Sequence, residues 1–219
     1  MFLYVHVENG FLIGKNEKKL LTFLEKLNFK LSLKYQNKPT HYLGYCFDWE
    51  TNGTIYLKPK ELILKLLKNH DMDSCWDVKT QCNGNLLKAL KSVRDPARNT
   101  AFQQEIGNIN YLAQHTRQYI SYKVNSLSRH AAHPTNKHWV ALNNLLQYLK
   151  VSSSLCFHYH KATCKEHDVI GLANTAYANK KMERNSITGN LITYCINPVS
   201  WLSKKKSLVA QSMTEAEFV

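Results

Sequence analysis

The side chains in this sequence that could do chemistry begin near its start. Glu8-Asn9-Gly10 separates two apolar runs, Phe2, Leu3, Val5 and Val7 before it and Phe11, Leu12 and Ile13 after it. Asn and Gly both tolerate positive φ, so the pattern predicts a tight β-hairpin hinged at these three residues. As a metal pair Glu8 and Asn9 are weak. Hard divalent ions require charged oxygen ligands, and Asn9 offers only a neutral carbonyl oxygen. Spacing alone therefore describes a surface hairpin without chemistry. A second group is His158, His160, Cys164 and His167. Structural zinc motifs pair their ligands as C-x₂₋₄-C with H-x₃₋₅-H, whereas this group has one cysteine and an alternating His-Tyr-His. No zinc site is expected there. The six cysteines, 46, 75, 82, 156, 164 and 195, are scattered without a Cys-x-x-Cys pair. That distribution suits a reducing intracellular compartment, cytoplasm or nucleus, better than a disulfide framework.

The elements that must position these residues follow from periodicity. Lys18–Phe29 places Leu20, Leu21, Leu24 and Leu27 on one helical face. His41–Leu57 alternates aromatic and aliphatic residues around Thr51-Asn52-Gly53, a second hairpin. Pro59 opens a short helix with Leu62, Ile63, Leu66 and Leu67 on its buried side. Residues 71–98 are polar and irregular, with Gly84, Asp95 and Pro96, and are expected to form a long connection. Three helical segments come next. Phe102, Ile106, Ile109 and Leu112 line the first, Tyr119 through Leu127 is the second, and Pro134–Lys150 buries Trp139, Leu142, Leu145, Leu146 and Leu149.

Charge narrows the partners. The formal net charge is +13 and the pI about 9.4, so a polyanion is plausible. Residues 58–151 carry fourteen Lys/Arg against six Asp/Glu, a net of +8, while the flanking sections are nearly balanced. Such an excess fits a solvated helical surface and a nucleic-acid face equally well. No apolar run approaches a membrane span, no signal peptide is expected, and no membrane partner follows.

Several motifs go further. Val5-His6-Val7-Glu8-Asn9-Gly10 resembles the active-site hairpin of copia-type retrotransposon reverse transcriptases, where Val-His-Val-Asp-Asp-Gly stands. The Leu43-Gly44 step is similar to their primer-gripping hairpin. Ile106-Gly107 with Tyr111-Leu112, Thr116-Arg117, Leu127-Ser128-Arg129, Pro134, His138 and Tyr148-Leu149-Lys150 resemble their thumb, with Gln118-Tyr119 departing from the usual Pro-Asp. Gly171 to Ala178, Ser186 to Gly189, Ser200-Trp201-Leu202-Ser203-Lys204-Lys205 and Ser212 to Phe218 resemble the opening of their ribonuclease H domain.

The resemblance implies an α+β fold with palm-end β-hairpins, a helical thumb and connection, and a truncated ribonuclease H-like mixed sheet of three strands leading into a helix. It implies domains at 1–57, 58–151 and 152–219. The positions matching the family's catalytic carboxylates are Glu8, Asn9, Asn174 and Glu217, of which Asn9 and Asn174 have lost their charge. In the family these acids hold Mg²⁺ ions; here no cofactor is expected. The implied duplex-contacting residues are Arg117, Arg129, Lys137 and Lys150. The expected function is a catalytically inactive reverse transcriptase/ribonuclease H fragment with residual, non-specific nucleic-acid binding. The alternatives are a polymerase/ribonuclease H subunit completed by another Pol chain and a protein-interaction module for Pol proteins. A chain that stops two residues after Glu217 is also expected to leave its final sheet poorly covered and weakly stable.

Overall fold

A computed structural model describes residues 1–72, 74–80, 96–161, 168–177 and 185–218. The fold is α+β, with six helices and three small sheets among the described residues. It forms two compact units, Met1–Pro39 and Thr40–Val219.

In the first unit β1 (Phe2–His6) pairs antiparallel with β2 (Asn9–Ile13), and α1 (Glu17–Leu31) follows. Asn16 caps α1, its side chain accepting the Lys19 amide, and Ser32 ends it in the left-handed region. The hairpin is hinged differently from the sequence expectation. His6 opposes Asn9, so the turn is Val7-Glu8, and Asn9 and Gly10 belong to β2. Counting pairs gives the reason. A turn at Asn9-Gly10 would set Glu8 opposite Phe11 and leave residues 1–5 without partners. The observed register forms five pairs, including Phe2 with Ile13, Leu3 with Leu12 and Tyr4 with Phe11. Cross-strand apolar pairs stabilise by a few tenths to about 1 kcal/mol each, enough to hold Val7 at a φ of 53° despite its branched side chain. No residue of β1, β2 or α1 is buried.

The second unit is built around α2 (Lys60–Lys68), α3 (Pro96–His115), α4 (Ser121–Ser128) and α5 (Asn136–Val151). The expected apolar faces form its core: Ile63, Leu66 and Leu67 of α2, Phe102, Ile106, Ile109 and Leu112 of α3, Val124 and Leu127 of α4, and Leu142, Leu145, Leu146 and Leu149 of α5. Helix α3 starts at Pro96, where a connection was expected; a proline at the first helical position loses no intrahelical hydrogen bond. Gly84 and Asp95 lie outside the described residues. Thr135 opens α5 through a reciprocal cap, its side chain accepting the His138 amide while His138 Nδ1 accepts the Thr135 amide.

A four-stranded antiparallel sheet runs β3 (His41–Tyr42), β4 (Tyr45–Trp49), β5 (Ile55–Lys58), β6 (Phe157–Tyr159). Leu43 and Gly44, both at positive φ, form the two-residue turn between β3 and β4. The β4–β5 turn carries Gly53 at a φ of 89°, and Asn52 locks it by accepting the Thr54 amide. Tyr111 of α3 donates its hydroxyl to the Leu43 carbonyl, and its ring stacks on Tyr45.

The third sheet, β7 (Val169–Ala176), β8 (Ile187–Tyr194) and β9 (Asn197–Lys205), is antiparallel across its three strands and leads to α6 (Met213–Phe218). These are the three strands and helix implied by the resemblance, but the sheet is antiparallel throughout rather than mixed, because its strands follow one another as neighbours with no crossover between them. Cys195 and Ile196, both at positive φ, turn β8 into β9. The sheet is anchored to the helices by Trp201, whose indole N–H donates to the Ala113 carbonyl at 2.7 Å. Helix α6 packs against β7, yet Val169, Ile170 and Leu172 of β7 stay exposed.

Candidate functional site

A groove with a volume of about 420 Å³ runs between the α3–α4 junction and the third sheet. Gln118, Tyr119 and Tyr122 form one wall; Leu172, Asn174, Asn190 and Trp201 contribute to the other. Asn174 reaches it because β7 alternates faces, and its cross-strand partner is Gly189, which has no side chain to cover it. None of the residues lining the groove is acidic. Mg²⁺ takes near-ideal octahedral oxygen ligands that include carboxylates, and a neutral amide beside serine and asparagine side chains does not supply that set. The donor groups at Asn174 therefore do not fit the Mg²⁺ that the family resemblance implies.

The other expected site residues sit on other elements. Glu8 lies in the turn of the first unit and Asn9 opens β2, both exposed. Glu217 is an exposed residue of α6, following the buried Ala216.

Of the four basic residues expected on a nucleic-acid face, Lys137 is exposed and the other three are buried or half-buried. Arg117 is a correction. It is 1% exposed, its guanidinium donates to the Tyr119 hydroxyl at 2.6 Å and to the Ser153 carbonyl at 3.2 Å, and it lies 5.8 Å from the centre of the Tyr119 ring. A group so enclosed cannot reach a phosphate. It joins the end of α3 to the end of α5. Arg129 is half-buried and donates to Ser126 Oγ. Lys150 is half-buried, donates to the Cys75 carbonyl at 2.7 Å and pairs with Asp77 at 3.6 Å, so it pins the segment after α2. Lys137 is exposed. The exposed Lys60, Lys65 and Lys68 of α2 were not singled out from the sequence, although their spacing opposite Ile63, Leu66 and Leu67 is the signal for a solvent face.

His138 is buried and belongs to the α5 cap, with burial holding its pKa below the ordinary histidine value. Trp139 packs edge-on against Phe102. His158 on β6 packs edge-on against Tyr56, while Cys164 and His167 lie outside the described residues. The one group of potential metal ligands among the described residues is His41, Cys46 and Glu61. The turn at Leu43-Gly44 was the available signal, because it places His41 opposite Cys46.

The chain has relatives among known proteins. Over its whole length the chain is 28% identical to the retrovirus-related Pol polyprotein from transposon RE1 of Arabidopsis thaliana and 26% identical to that from transposon TNT 1-94 of Nicotiana tabacum. It spans 15% and 17% of the length of those two proteins. It is also 27% identical over its whole length to an uncharacterized mitochondrial protein of Arabidopsis thaliana, covering 89% of that protein. No family model matches, and no solved structure matches. These relatives support a retrotransposon-derived protein. Within that class the chain is similar over its whole length to a segment of the retrovirus-related Pol polyproteins, the likeness that its copia-type motifs imply. Among the described residues, no helix is long and apolar enough to cross a membrane.

Proposed function

We propose that the chain is a catalytically inactive segment of a reverse transcriptase/ribonuclease H that retains weak, sequence-independent affinity for nucleic-acid duplexes. The observation that carries the loss of chemistry is the groove at Asn174, whose lining is uncharged. Two-metal phosphoryl chemistry needs carboxylates to hold both ions around the reacting phosphate. An amide at this position leaves the phosphate's charge and the attacking water without that support. The net charge of +13 supports the binding half of the reading, with Lys65, Lys68 and Lys137 as exposed lysines able to follow a phosphate backbone.

The test is direct. Purified protein with Mg²⁺ or Mn²⁺ should neither extend a primed template nor cleave the RNA of an RNA–DNA hybrid. Duplex binding through about three phosphate contacts should give a log–log salt slope of roughly −2.7, a loss of roughly 40-fold between 50 and 200 mM salt. Salt-insensitive binding, or none, removes the nucleic-acid half; unaided cleavage or extension removes the other.

A second reading has its own observation. Phe2 and Tyr4 are exposed on one face of the first hairpin and Leu3 and Val5 on the other, apolar surface that suits burial against another Pol chain. Primer extension on poly(rA) that rises when this chain is added to an intact Pol protein supports a completing subunit. Capture of Pol proteins after nuclease treatment, with no rise in extension, supports an interaction module.

A further inference from the structure

Three elements converge where the β3–β4 hairpin meets the first turn of α2. Phe47 donates its amide to the Thr40 carbonyl, and Tyr42 faces Tyr45 across the turn, so His41 and Cys46 occupy the intervening, non-hydrogen-bonded pair. Residues in such a pair have the closest Cα separation of an antiparallel ladder, and their side chains share one face. Glu61, in the first turn of α2, reaches this pair: its Oε2 lies 3.5 Å from His41 Nε2. The ligand atoms of all three residues lie within 4.8 Å of one another. We propose that His41 Nε2, Cys46 Sγ and the Glu61 carboxylate form a zinc site, with water as fourth ligand. This rests on the second unit alone and is independent of the function proposed above.

The geometry and the donor chemistry agree. Ordinary Zn–N and Zn–O distances in a tetrahedron separate the two ligand atoms by about 3.3 Å, close to the His41–Glu61 spacing. A thiolate with an imidazole and a carboxylate is a set for zinc rather than Mg²⁺ or Ca²⁺, which take oxygen ligands. His41 is also oriented as metal-bound histidines are. Its Nδ1 lies 3.1 Å from Thr40 Oγ1, so a proton on Nδ1 donated to that hydroxyl leaves the Nε2 lone pair facing Glu61. On binding, Cys46 releases its thiol proton to solvent and the sulfur ligates as thiolate. Without metal, the same three residues amount to an exposed His–Glu contact beside a half-buried thiol, with Glu61 favouring the helix N-terminus. The distinction is measurable.

Metal-free full-length protein titrated with Co²⁺ should bind one equivalent with a thiolate charge-transfer band and intense tetrahedral d–d absorption, both abolished by Zn²⁺. Cys46→Ser should remove the charge-transfer band, and His41→Ala or Thr40→Val should weaken binding at least about tenfold. Alkylation of Cys46 by N-ethylmaleimide, followed by mass spectrometry on the unaltered protein, should slow at least about tenfold with Zn²⁺ and stay unchanged with Mg²⁺, a readout that needs no variant to fold. A thiolate band that persists in Cys46→Ser but vanishes in Cys164→Ser overturns the proposal. So does the absence of a band, or alkylation indifferent to Zn²⁺.

Discussion

Arg117 separates a structural from a nucleic-acid role most sharply. Its guanidinium makes two hydrogen bonds from a site that is 1% exposed. Replacing it with alanine leaves the Ser153 carbonyl without that donor and opens a cavity where the stem packed. Tyr119 is less affected, because its hydroxyl also donates to Ser152 Oγ. An orphaned buried acceptor costs about 1–3 kcal/mol and a charged-donor hydrogen bond is worth a similar amount, while relief from burying a cation offsets part of the loss. The net cost of Arg117→Ala should be about 3 kcal/mol. For a chain of this length that lowers the melting temperature by roughly 6–12 °C. Arg117→Met keeps the stem volume and removes the charge, so its cost should be about half. Thermal unfolding followed by near-ultraviolet circular dichroism measures both, and duplex affinity is compared at a temperature where each variant is folded. The salt slope of Arg117→Met should equal that of the unaltered protein. A melting shift under about 2 °C, together with a salt slope reduced by about one, would refute the reasoning and return Arg117 to a phosphate-contacting surface.

Replacing Lys65, Lys68 and Lys137 together by alanine should flatten the salt slope by about two to three with little change in melting temperature, as read by fluorescence anisotropy and circular dichroism. Trp201→Phe removes the hydrogen bond to the Ala113 carbonyl and should cost about 1 kcal/mol, with hydrogen exchange accelerated first in β7–β9. The depressed pKa of His138 sets a pH dependence. Above the unfolded value, about 6.5, its contribution is fully present. As pH falls through that value the unfolded imidazole takes up a proton that the buried one does not, so stability declines until the lower folded pKa is reached. Denaturant midpoints between pH 7 and pH 5 should fall less steeply in His138→Gln. Asn174→Asp restores one carboxylate to the groove but no second ion-holding group beside it; RNA cleavage from a hybrid in Mg²⁺ should stay at background, and measurable cleavage would contradict the reading of the groove.

The helical core was legible because its signal is local. Phe102, Ile106, Ile109 and Leu112 recur at helical spacing, and all four are buried. The three terminal strands and α6 were legible from motifs. What escaped depends on comparing distant alternatives. Asn9-Gly10 is the better local turn, yet five cross-strand pairs outweigh it and move the hinge to Val7-Glu8. β6 pairs with β5 across some hundred residues, a contact no window of periodicity contains. A basic residue in a basic stretch looks solvated, and only the packing of α3 against α5 shows that Arg117 is enclosed. His41 and Cys46 do not read as a pair in the sequence for a simpler reason: Thr51-Asn52-Gly53 is the stronger turn signal, while Leu43-Gly44 makes a second, tighter turn.

The turn at Cys195-Ile196 bears on the order in which the chain acquires its structure. Two-residue turns of this kind favour Asn and Gly, and a branched isoleucine at a φ of 64° opposes closure. The hairpin of β8 and β9 therefore has no local seed. Its strands have to be brought together by something already in place, and the indole of Trp201 reaching the end of α3 offers that platform. Assembly should thus run from the helices outward, with substitutions in the core of α3 slowing refolding and substitutions in β8 mainly hastening unfolding.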